Sequence, residues 1–332
     1  MYENDKILLN DFVRIRNLSS RTKHGYKDSL KKYTSFQDET FINLLKEADQ
    51  EEEKSIRWKN RKLKQRLFNF RIFLYENFMI TTAKVHFQRI LTLYRHFEIE
   101  IHELPKISVK SCKQSKPITF EDLPTKEIIR TAVEISNPVM KAIILFMSSS
   151  GCARKETLNL TIQDFIDASY EYHNEKDIKE ALLVLNGLDK VVPTFRIRRQ
   201  KTNNYYFTFC SPEASNEIVK YLLKNRKLNS KGKLFKINLD YLNNNFVKIN
   251  NELGLGKVGK YNKFRSHMLR KFHASSLYNA ENGLSLDEID ALQGRKKDST
   301  HSSYFMEDPY NLKKKYIKSL DALMIKKYFK KI

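Results

Sequence analysis

Residues 267–295 read HMLRKFHASSLYNAENGLSLDEIDALQGR, and this stretch carries the strongest indication of the fold. It contains the pattern His-x-x-Arg at His267 and Arg270, in a part of the chain whose apolar spacing is helical. It ends in a glycine followed by Arg295, and Tyr304 lies nine residues further on, in HSSYF. A histidine, two arginines and a tyrosine therefore follow one another at short intervals near the end of the chain.

Two more basic residues stand out upstream of this stretch. Arg154 lies in SSSGCARKETLNLTIQDF, close to the start of a predicted helix. Lys201 lies in the turn 201–204, between two β-rich runs, Thr194–Gln200 and Tyr205–Cys210, that together predict a hairpin. Taken alone, each residue reads as a surface ion pair or an exposed turn residue, so only the joint order of the set carries weight.

The composition points to a polyanionic partner. The 332 residues include 61 Lys and Arg against 39 Asp and Glu, which gives a formal net charge of +22. The isoelectric point is about 9.6. Such self-repulsion disfavours a compact chain, and it is usually kept because it attracts nucleic acid. Solubility alone is the alternative interpretation of the charge.

Other classes of protein fit the sequence less well. The longest apolar run, Ala142–Met147, is far shorter than the roughly 20 residues that span a bilayer, and the first residues lack a signal-peptide profile. Three cysteines, Cys112, Cys152 and Cys210, show no paired spacing, which fits a reducing compartment and argues against a zinc site. We therefore expect an intracellular protein with no membrane partner, no bound metal and no cofactor.

The first part of the chain, residues 1–104, has a helical apolar pattern. Ser19 offers an N-cap ahead of Tyr26, Leu30 and Tyr33, whose spacing puts them on one helix face. A later helix repeats the pattern with a predicted core stripe of Leu63, Leu67, Phe70 and Leu74. The sequence therefore predicts a helical domain at the start of the chain.

A run of basic residues accompanies that later helix. It has no acidic residue among its members, which are Lys54, Arg57, Lys59, Arg61, Lys62, Lys64 and Arg66. This pattern predicts contact with DNA phosphates, and we take Arg57, Arg61 and Lys64 as the candidates. The alternative is a helix face that is simply solvated.

The boundary between domains is predicted at residues 105–122, whose prolines, lysines and serines are typical of an extended basic linker. Beyond it the pattern predicts helices, two β-runs of the hairpin and a further short strand at Leu182–Leu185. The predicted fold class is mainly α with a small antiparallel β-sheet (α+β). The domains are a helical one at 1–104 and a mixed one at 123–332.

These residue types suit one kind of chemistry. Rejoining DNA without an external energy source requires that the energy of the broken phosphodiester be stored, and a covalent bond to a tyrosine oxygen stores it. The phosphorane that forms on the way gathers negative charge on its non-bridging oxygens, and fixed arginine and lysine donors stabilise that charge. The leaving 5′ oxygen also needs a proton.

The order of these residues resembles that of the tyrosine recombinase (integrase) family, and the resemblance covers most of the chain. Residues 267–295 resemble the family's His-x-x-Arg helix and the following helix that ends in Gly-His. The interval of nine residues from Arg295 to Tyr304 is the one usual in the family. The resemblance implies a helical core-binding domain that clamps the duplex, followed by a mixed catalytic domain.

The resemblance also implies a role for each position. Arg154 and Arg270 would grip the scissile phosphate, and Lys201 would protonate the leaving oxygen. His267 would assist proton transfer, and Tyr304 would attack to give a 3′-phosphotyrosine. Recombination would pass through a four-way junction in a homotetramer on double-stranded DNA, with neither metal nor nucleotide.

The sequence departs from the family pattern at two places. The family commonly has Glu three residues after the first Arg, whereas Thr157 holds that place here and Glu156 comes one residue early. Arg295 stands where the family usually has His or Trp; it can donate to a phosphate oxygen but cannot shuttle a proton near neutral pH. His301 is a candidate to compensate.

Two alternative functions remain open at this stage. A type IB topoisomerase uses a similar set of Arg, Lys and Tyr, and a non-catalytic DNA-binding relative would keep the fold without turnover. A metal-dependent nuclease fits worst, because no acidic or histidine cluster has a metal-like spacing. The last segment, Tyr316–Ile332, predicts a helix along Ile317, Leu320, Met324 and Tyr328 that packs either on its own domain or on a neighbouring protomer.

Overall fold

The chain folds into two compact units, Met1–Lys116 and Pro117–Ile332. Their structure comes from a computed structural model, which describes residues 2–108, 113–114, 116–200, 203–224, 228–295 and 308–325.

Unit 1 is helical throughout its described regular structure, as predicted. A short 3-10 turn, Trp58–Asn60, precedes the fourth helix. The helices are α1 (Glu3–Ile15), α2 (Ser20–Gln37), α3 (Phe41–Glu53), α4 (Lys62–Asn77) and α5 (Ile80–His96).

The predicted signals of unit 1 are confirmed by the structure. The Ser19 hydroxyl caps α2 by accepting from the Thr22 backbone N–H at 3.3 Å. The core stripe of α4 is buried, and the Tyr33 and Tyr94 hydroxyls are hydrogen-bonded to each other at 3.0 Å inside the same core. Burial of aromatic rings from α2, α4 and α5 therefore holds the unit together.

Unit 2 combines helices with two small antiparallel hairpins. Strands β1 (Thr194–Arg198) and β2 (Tyr205–Phe209) pair with Thr194 opposite Phe209 and Arg198 opposite Tyr205, so the predicted hairpin is confirmed. A second, shorter hairpin is formed by β3 (Lys257–Val258) and β4 (Tyr261–Asn262).

One helix of unit 2, α7 (Pro138–Ser150), lies in the core of the unit. All residues of this helix from Ala142 to Ser150 are buried, as expected of a helix at the centre of a core. Within the described residues, no helix is both long and apolar enough to cross a membrane. The helices are α6 (Lys126–Glu134), α7 (Pro138–Ser150), α8 (Arg154–Asn159), α9 (Ile162–Ala168), α10 (Tyr170–His173), α11 (Ile178–Asn186), α12 (Pro212–Leu223), α13 (Leu239–Glu252), α14 (Ser266–Tyr278), α15 (Leu286–Leu292) and α16 (Pro309–Lys318).

The strand predicted at Leu182–Leu185 is wrong, because these residues lie inside α11. The Asp177 carboxylate caps that helix by accepting from the backbone of Lys179 at 2.8 Å and Glu180 at 3.1 Å. Leu182 and Leu185 face the core at helical spacing. A short apolar run does not distinguish a strand from a helix by its own periodicity.

The helix predicted over Tyr316–Ile332 is wrong for the described residues up to Ile325, and residues 326–332 lie outside the described residues. Helix α16 begins at Pro309 and ends at Lys318, and Ile317 is exposed rather than buried. Tyr316 is the buried anchor, since its hydroxyl donates to the Ser149 carbonyl at 2.8 Å. The described part of this tail, up to Ile325, packs on its own unit, where the Ile325 N–H donates to Glu213 at 2.8 Å.

Gly151 ends the central helix in a left-handed conformation with φ +65°. A Cβ at this position would lie 2.6 Å from the His273 ring, whereas one at Gly254, also left-handed at φ +60°, would meet nothing within 4 Å. The turn after α7 is therefore packed directly onto α14, and it leads within three residues to Arg154.

We predict that Gly151→Ala destabilises the protein more than Gly254→Ala does. Both substitutions carry the left-handed strain of about 1–2 kcal/mol, but only the first adds overpacking of about 1–3 kcal/mol. Urea denaturation of the two variants and the parent measures the difference. Equal losses would show that the contact with His273 relaxes without cost.

Candidate active site

Arg154 is the first residue of α8, and it is half-buried. Its Nη1 donates to Oδ1 of Asn243 on α13. Sequence reasoning missed Asn243, because the two residues are far apart in the chain and Asn has no recognisable spacing to Arg154. This hydrogen bond fixes the direction of the first arginine.

The neighbouring carboxylate does not take that role. Glu156 is buried, and its charge raises the pKa of the Cys152 thiol and of Tyr206 after the larger effect of burial on each. Thr157 donates its hydroxyl to the Ala153 carbonyl at 3.1 Å. The shortened first motif therefore turns its acid toward the core side of α8, and an amide from α13 supports Arg154.

Arg270 on α14 is 8% exposed and connects two other segments. Its Nη1 donates to the Gly151 carbonyl and its Nη2 to the Gln293 carbonyl at 2.6 Å. Burial lowers the pKa of Arg270, and the charges of Arg199 and Arg295 act in the same direction. The guanidinium remains charged, since arginine does not lose its proton in proteins.

His267 lies one helical turn before Arg270, at the start of α14. Removal of water from part of the ring lowers its pKa, and four cations, Lys271, Arg265, Arg270 and Arg295, lower it further. The imidazole is therefore neutral at pH 7 and able to accept a proton.

A groove of about 650 Å³ in unit 2 is formed by the start of α8, α13, the β3–β4 hairpin and the start of α14. No carboxylate is among the described residues that line it. Its polar and charged lining includes Arg154, Asn243, Lys260, Tyr261, Arg265 and His267. The groove thus brings together two of the site residues predicted from sequence in a strongly cationic setting suited to an anion.

Arg295 is exposed at the edge of this group. Its Nη1 pairs with the Asp290 carboxylate at 3.0 Å, and its backbone N–H donates to the Asp290 carbonyl at 2.8 Å. Its charge still lowers the pKa of both Arg270 and His267. The structure therefore places Arg295 within electrostatic reach of the predicted site, with part of its guanidinium held by α15.

A buried network beneath Arg270 was not anticipated from the sequence. The Gln293 amide donates to the Arg270 carbonyl and to His273 Nδ1, each at 3.0 Å. Burial lowers the pKa of His273 to about 3, so the ring is neutral. Arg199, at the end of β1, donates to the Gly294 carbonyl and ties the hairpin to the same loop.

Three candidates, Lys201, His301 and Tyr304, lie outside the described residues. Their roles remain predictions from the sequence.

The basic run of unit 1 needs a correction at Arg61. Its side chain is buried, with Nη1 paired to Glu52 at 2.6 Å and Nε donating to the Ile56 carbonyl at 2.9 Å. Glu47 of α3 pairs with Lys62 and Arg66 in the same way. The inference that no carboxylate compensates this run is therefore wrong, because Glu47 and Glu52 on α3 form ion pairs with its basic residues.

Arg57 and Lys64 differ from Arg61. Arg57 is exposed and Lys64 is half-buried. They stay candidates for contact with phosphate, whereas Arg61 is held in an ion pair inside the unit.

No protein-family model and no curated protein matches the sequence. The crystal structure of XerH site-specific recombinase bound to its difH substrate, a pre-cleavage complex, matches over 93% of this chain and 83% of that one, at 19% identity and a TM-score of 0.52. The chain has the tyrosine-recombinase fold. The predicted fold class is thereby confirmed.

Two further solved structures match over almost their whole length with lower TM-scores. The match to the Tn1549 transposon integrase in complex with transposon right end DNA covers 96% of this chain and 99% of that chain, at 11% sequence identity and a TM-score of 0.49. The match to XerA recombinase covers 95% of this chain and 98% of that chain, at 14% sequence identity and a TM-score of 0.38. The assignment of the fold rests on XerH.

We predict that His273 makes the protein sensitive to acid. The unfolded chain binds a proton on this histidine near its ordinary pKa of 6.5, whereas the folded chain does so only near 3, so stability falls as the pH drops below about 6.5. The free energy of unfolding should decrease by about 2 kcal/mol between pH 7 and pH 5 from this group alone. Urea denaturation at both pH values measures the loss.

The control for this prediction is His273→Asn, which keeps an acceptor near the Gln293 amide but has no proton to bind. Its stability should change less between the two pH values than that of the parent. An equal loss in both proteins would assign the acid sensitivity to other groups.

Proposed function

We propose that this chain is a site-specific DNA recombinase that cleaves and rejoins DNA through a 3′-phosphotyrosine formed by Tyr304. The observation that carries the proposal is the cationic groove, where Arg154 and His267 from separate segments converge beside buried Arg270. The tyrosine-recombinase fold supports it, because the chain matches XerH site-specific recombinase over 93% of its length.

The first step is the attack of the Tyr304 oxygen on the scissile phosphorus. A bond forms between the tyrosine oxygen and phosphorus while the bond from phosphorus to the 5′ oxygen breaks. The number of phosphodiester linkages is therefore unchanged. Arg154 and Arg270 stabilise the charge on the non-bridging oxygens. Lys201 gives its proton to the departing 5′ oxygen.

His267 assists the proton balance of this step. Because its pKa is lowered, the ring is neutral at pH 7 and accepts the proton that the tyrosine releases. Arg295 donates to a phosphate oxygen through the N–H groups that Asp290 does not hold. Strand exchange then reverses the reaction, with the 5′ hydroxyl of a partner strand as the nucleophile.

The proposed partner is double-stranded DNA, bound by a homotetramer that passes through a four-way junction, without metal or cofactor. The net charge of +22 supports a polyanionic partner. In the XerH structure the recombinase is bound to its difH substrate. In unit 1 we propose phosphate contacts by Arg57 and Lys64.

A DNA-binding relative without turnover is the second candidate. The pairing of Arg295 with Asp290 favours it, because a donor held by a carboxylate stabilises a phosphorane less well than an unpaired one. The two proposals differ in whether a covalent adduct forms.

We predict that a nicked suicide duplex built from a repeated core near the gene is trapped covalently by the parent protein and not by Tyr304→Phe. The phenyl ring has no oxygen to bond phosphorus, whereas binding, measured on the same duplex, should persist. Denaturing gel electrophoresis detects the adduct, and EDTA should leave its yield unchanged.

Tyr310→Phe is the matched control, since Tyr310 is an exposed tyrosine close in sequence to the predicted nucleophile. It should form the adduct at the parent rate. An adduct from Tyr304→Phe would assign the attack to another residue, and binding without any adduct from the parent would favour the non-catalytic relative.

We also predict that Asn243→Ala lowers the rate of adduct formation by about tenfold, because Arg154 loses the acceptor that directs it. DNA binding should change little. Asn245→Ala is the control, since its amide donates only to the Tyr241 carbonyl of its own helix. Equal rates for the two variants would show that Arg154 finds its position without Asn243.

A further inference from the structure

The β3–β4 hairpin is a short and strongly basic projection beside the groove. Its turn has two residues, Gly259 and Lys260, and the first has a φ of +59°, which suits the tight turns that join antiparallel strands. The segment 257–265 contains four basic residues and no acidic one.

The base of the hairpin is rigid. Asn250 on α13 is 2% exposed, and its side chain bonds to both ends of the hairpin: Nδ2 donates to the Gly256 carbonyl at 3.1 Å, and Oδ1 accepts from the Phe264 N–H at 2.8 Å. The Phe264 ring is fully buried. The tip is therefore held at a fixed place relative to the groove.

The hairpin has two cations, Lys260 at its tip and Arg265 at its base, that contact one aromatic ring. Lys260 Nζ lies 5.2 Å from the centre of the Tyr261 ring, and the Arg265 guanidinium lies 4.9 Å from it. Tyr261 is 52% exposed and Lys260 is exposed, whereas Arg265 is half-buried against the ring. Contact with the ring attracts each cation without neutralising it.

These cations also lack the ion pairs seen elsewhere on the surface. Lys220 pairs with Glu217 at 3.2 Å and Lys248 with Glu252 at 3.7 Å. In the part of the chain that the structure describes, no carboxylate lies within ion-pair distance of the hairpin's basic residues. Two of these basic residues, Lys260 and Arg265, line the groove that also holds Arg154 and His267.

We propose that the β3–β4 hairpin is a phosphate-binding element for the DNA strand, in which Lys260 and Arg265, gathered by Tyr261, contact backbone phosphates next to the one that reacts. A strand whose phosphate lies at Arg154 must pass along the groove, and the hairpin forms one wall of it. The inference rests on the proposed function in that both place DNA in this groove. It assigns to the hairpin affinity without sequence preference.

The test measures binding of the full chain to a short synthetic duplex of arbitrary sequence, by fluorescence anisotropy over a series of salt concentrations. Lys260→Gln should weaken binding and reduce the slope of log affinity against log salt by about 0.9, the value for one lost phosphate contact. Lys220→Gln is the control, because it removes the same charge from an exposed lysine that is already paired.

A second variant tests the aromatic ring. Tyr261→Leu keeps every charge but removes the surface that gathers the two cations, and affinity should fall about two- to fivefold, as expected from an exposed cation–π contact. Both substituted side chains are exposed, so thermal unfolding should match that of the parent.

The inference is overturned if Lys260→Gln gives the same slope as the parent and Lys220→Gln, or if the parent does not bind the duplex. Failure of the proposed recombinase activity is a different result. If the parent forms no adduct but Lys260→Gln still reduces the slope, the proposed reaction is contradicted and the phosphate contact is supported. If the parent forms the adduct and Lys260→Gln leaves the slope unchanged, the proposed reaction is supported and the phosphate contact is contradicted.

Discussion

The site depends on one buried cation, the guanidinium of Arg270. It is held by two backbone carbonyls, from the turn after α7 and from the end of α15, and no described carboxylate pairs with it. Carbonyl dipoles compensate part of the cost of burying a charge, but they leave it positive. That residual charge can be neutralised by an anion in the site. The same two bonds fix the loops that carry Arg154 and Arg295. The side chain of Arg270 therefore both positions its neighbours and supplies positive charge to the site.

The network below Arg270 protects this arrangement. Gln293 donates to His273 Nδ1, which places the proton of the ring on Nε2 and keeps the imidazole neutral. A charged ring there would repel Arg270 and weaken the bonds that direct it. Gly151 is required for the same reason, because a larger residue would push His273 away from Gln293. Gly151 at the end of α7 thus helps to keep Arg270 of α14 in position.

The sequence predicts those parts of the site that are short in range. The interval from His267 to Arg270 and the β1–β2 hairpin follow from local spacing and turn residues, and both are found as expected. Asn243 was missed because its bond to Arg154 spans 89 residues, and no local pattern records such a contact. Leu182–Leu185 was misread because a short apolar run is compatible with either a strand or a helix, and the choice is made by the Asp177 cap and by packing.

The basic run of unit 1 and the basic β3–β4 hairpin differ in how the fold pairs their cations. Both segments are rich in Lys and Arg with no acid among them, yet α3 supplies Glu47 and Glu52 to the first, while nothing described supplies a carboxylate to the second. A cation already paired gains little from a phosphate, because it must first lose its carboxylate. The net charge of the chain therefore overstates the number of cations that can bind DNA phosphates. What attracts a phosphate is the subset of cations that the fold leaves unpaired, and two members of that subset, Lys260 and Arg265, lie on one wall of the groove of unit 2.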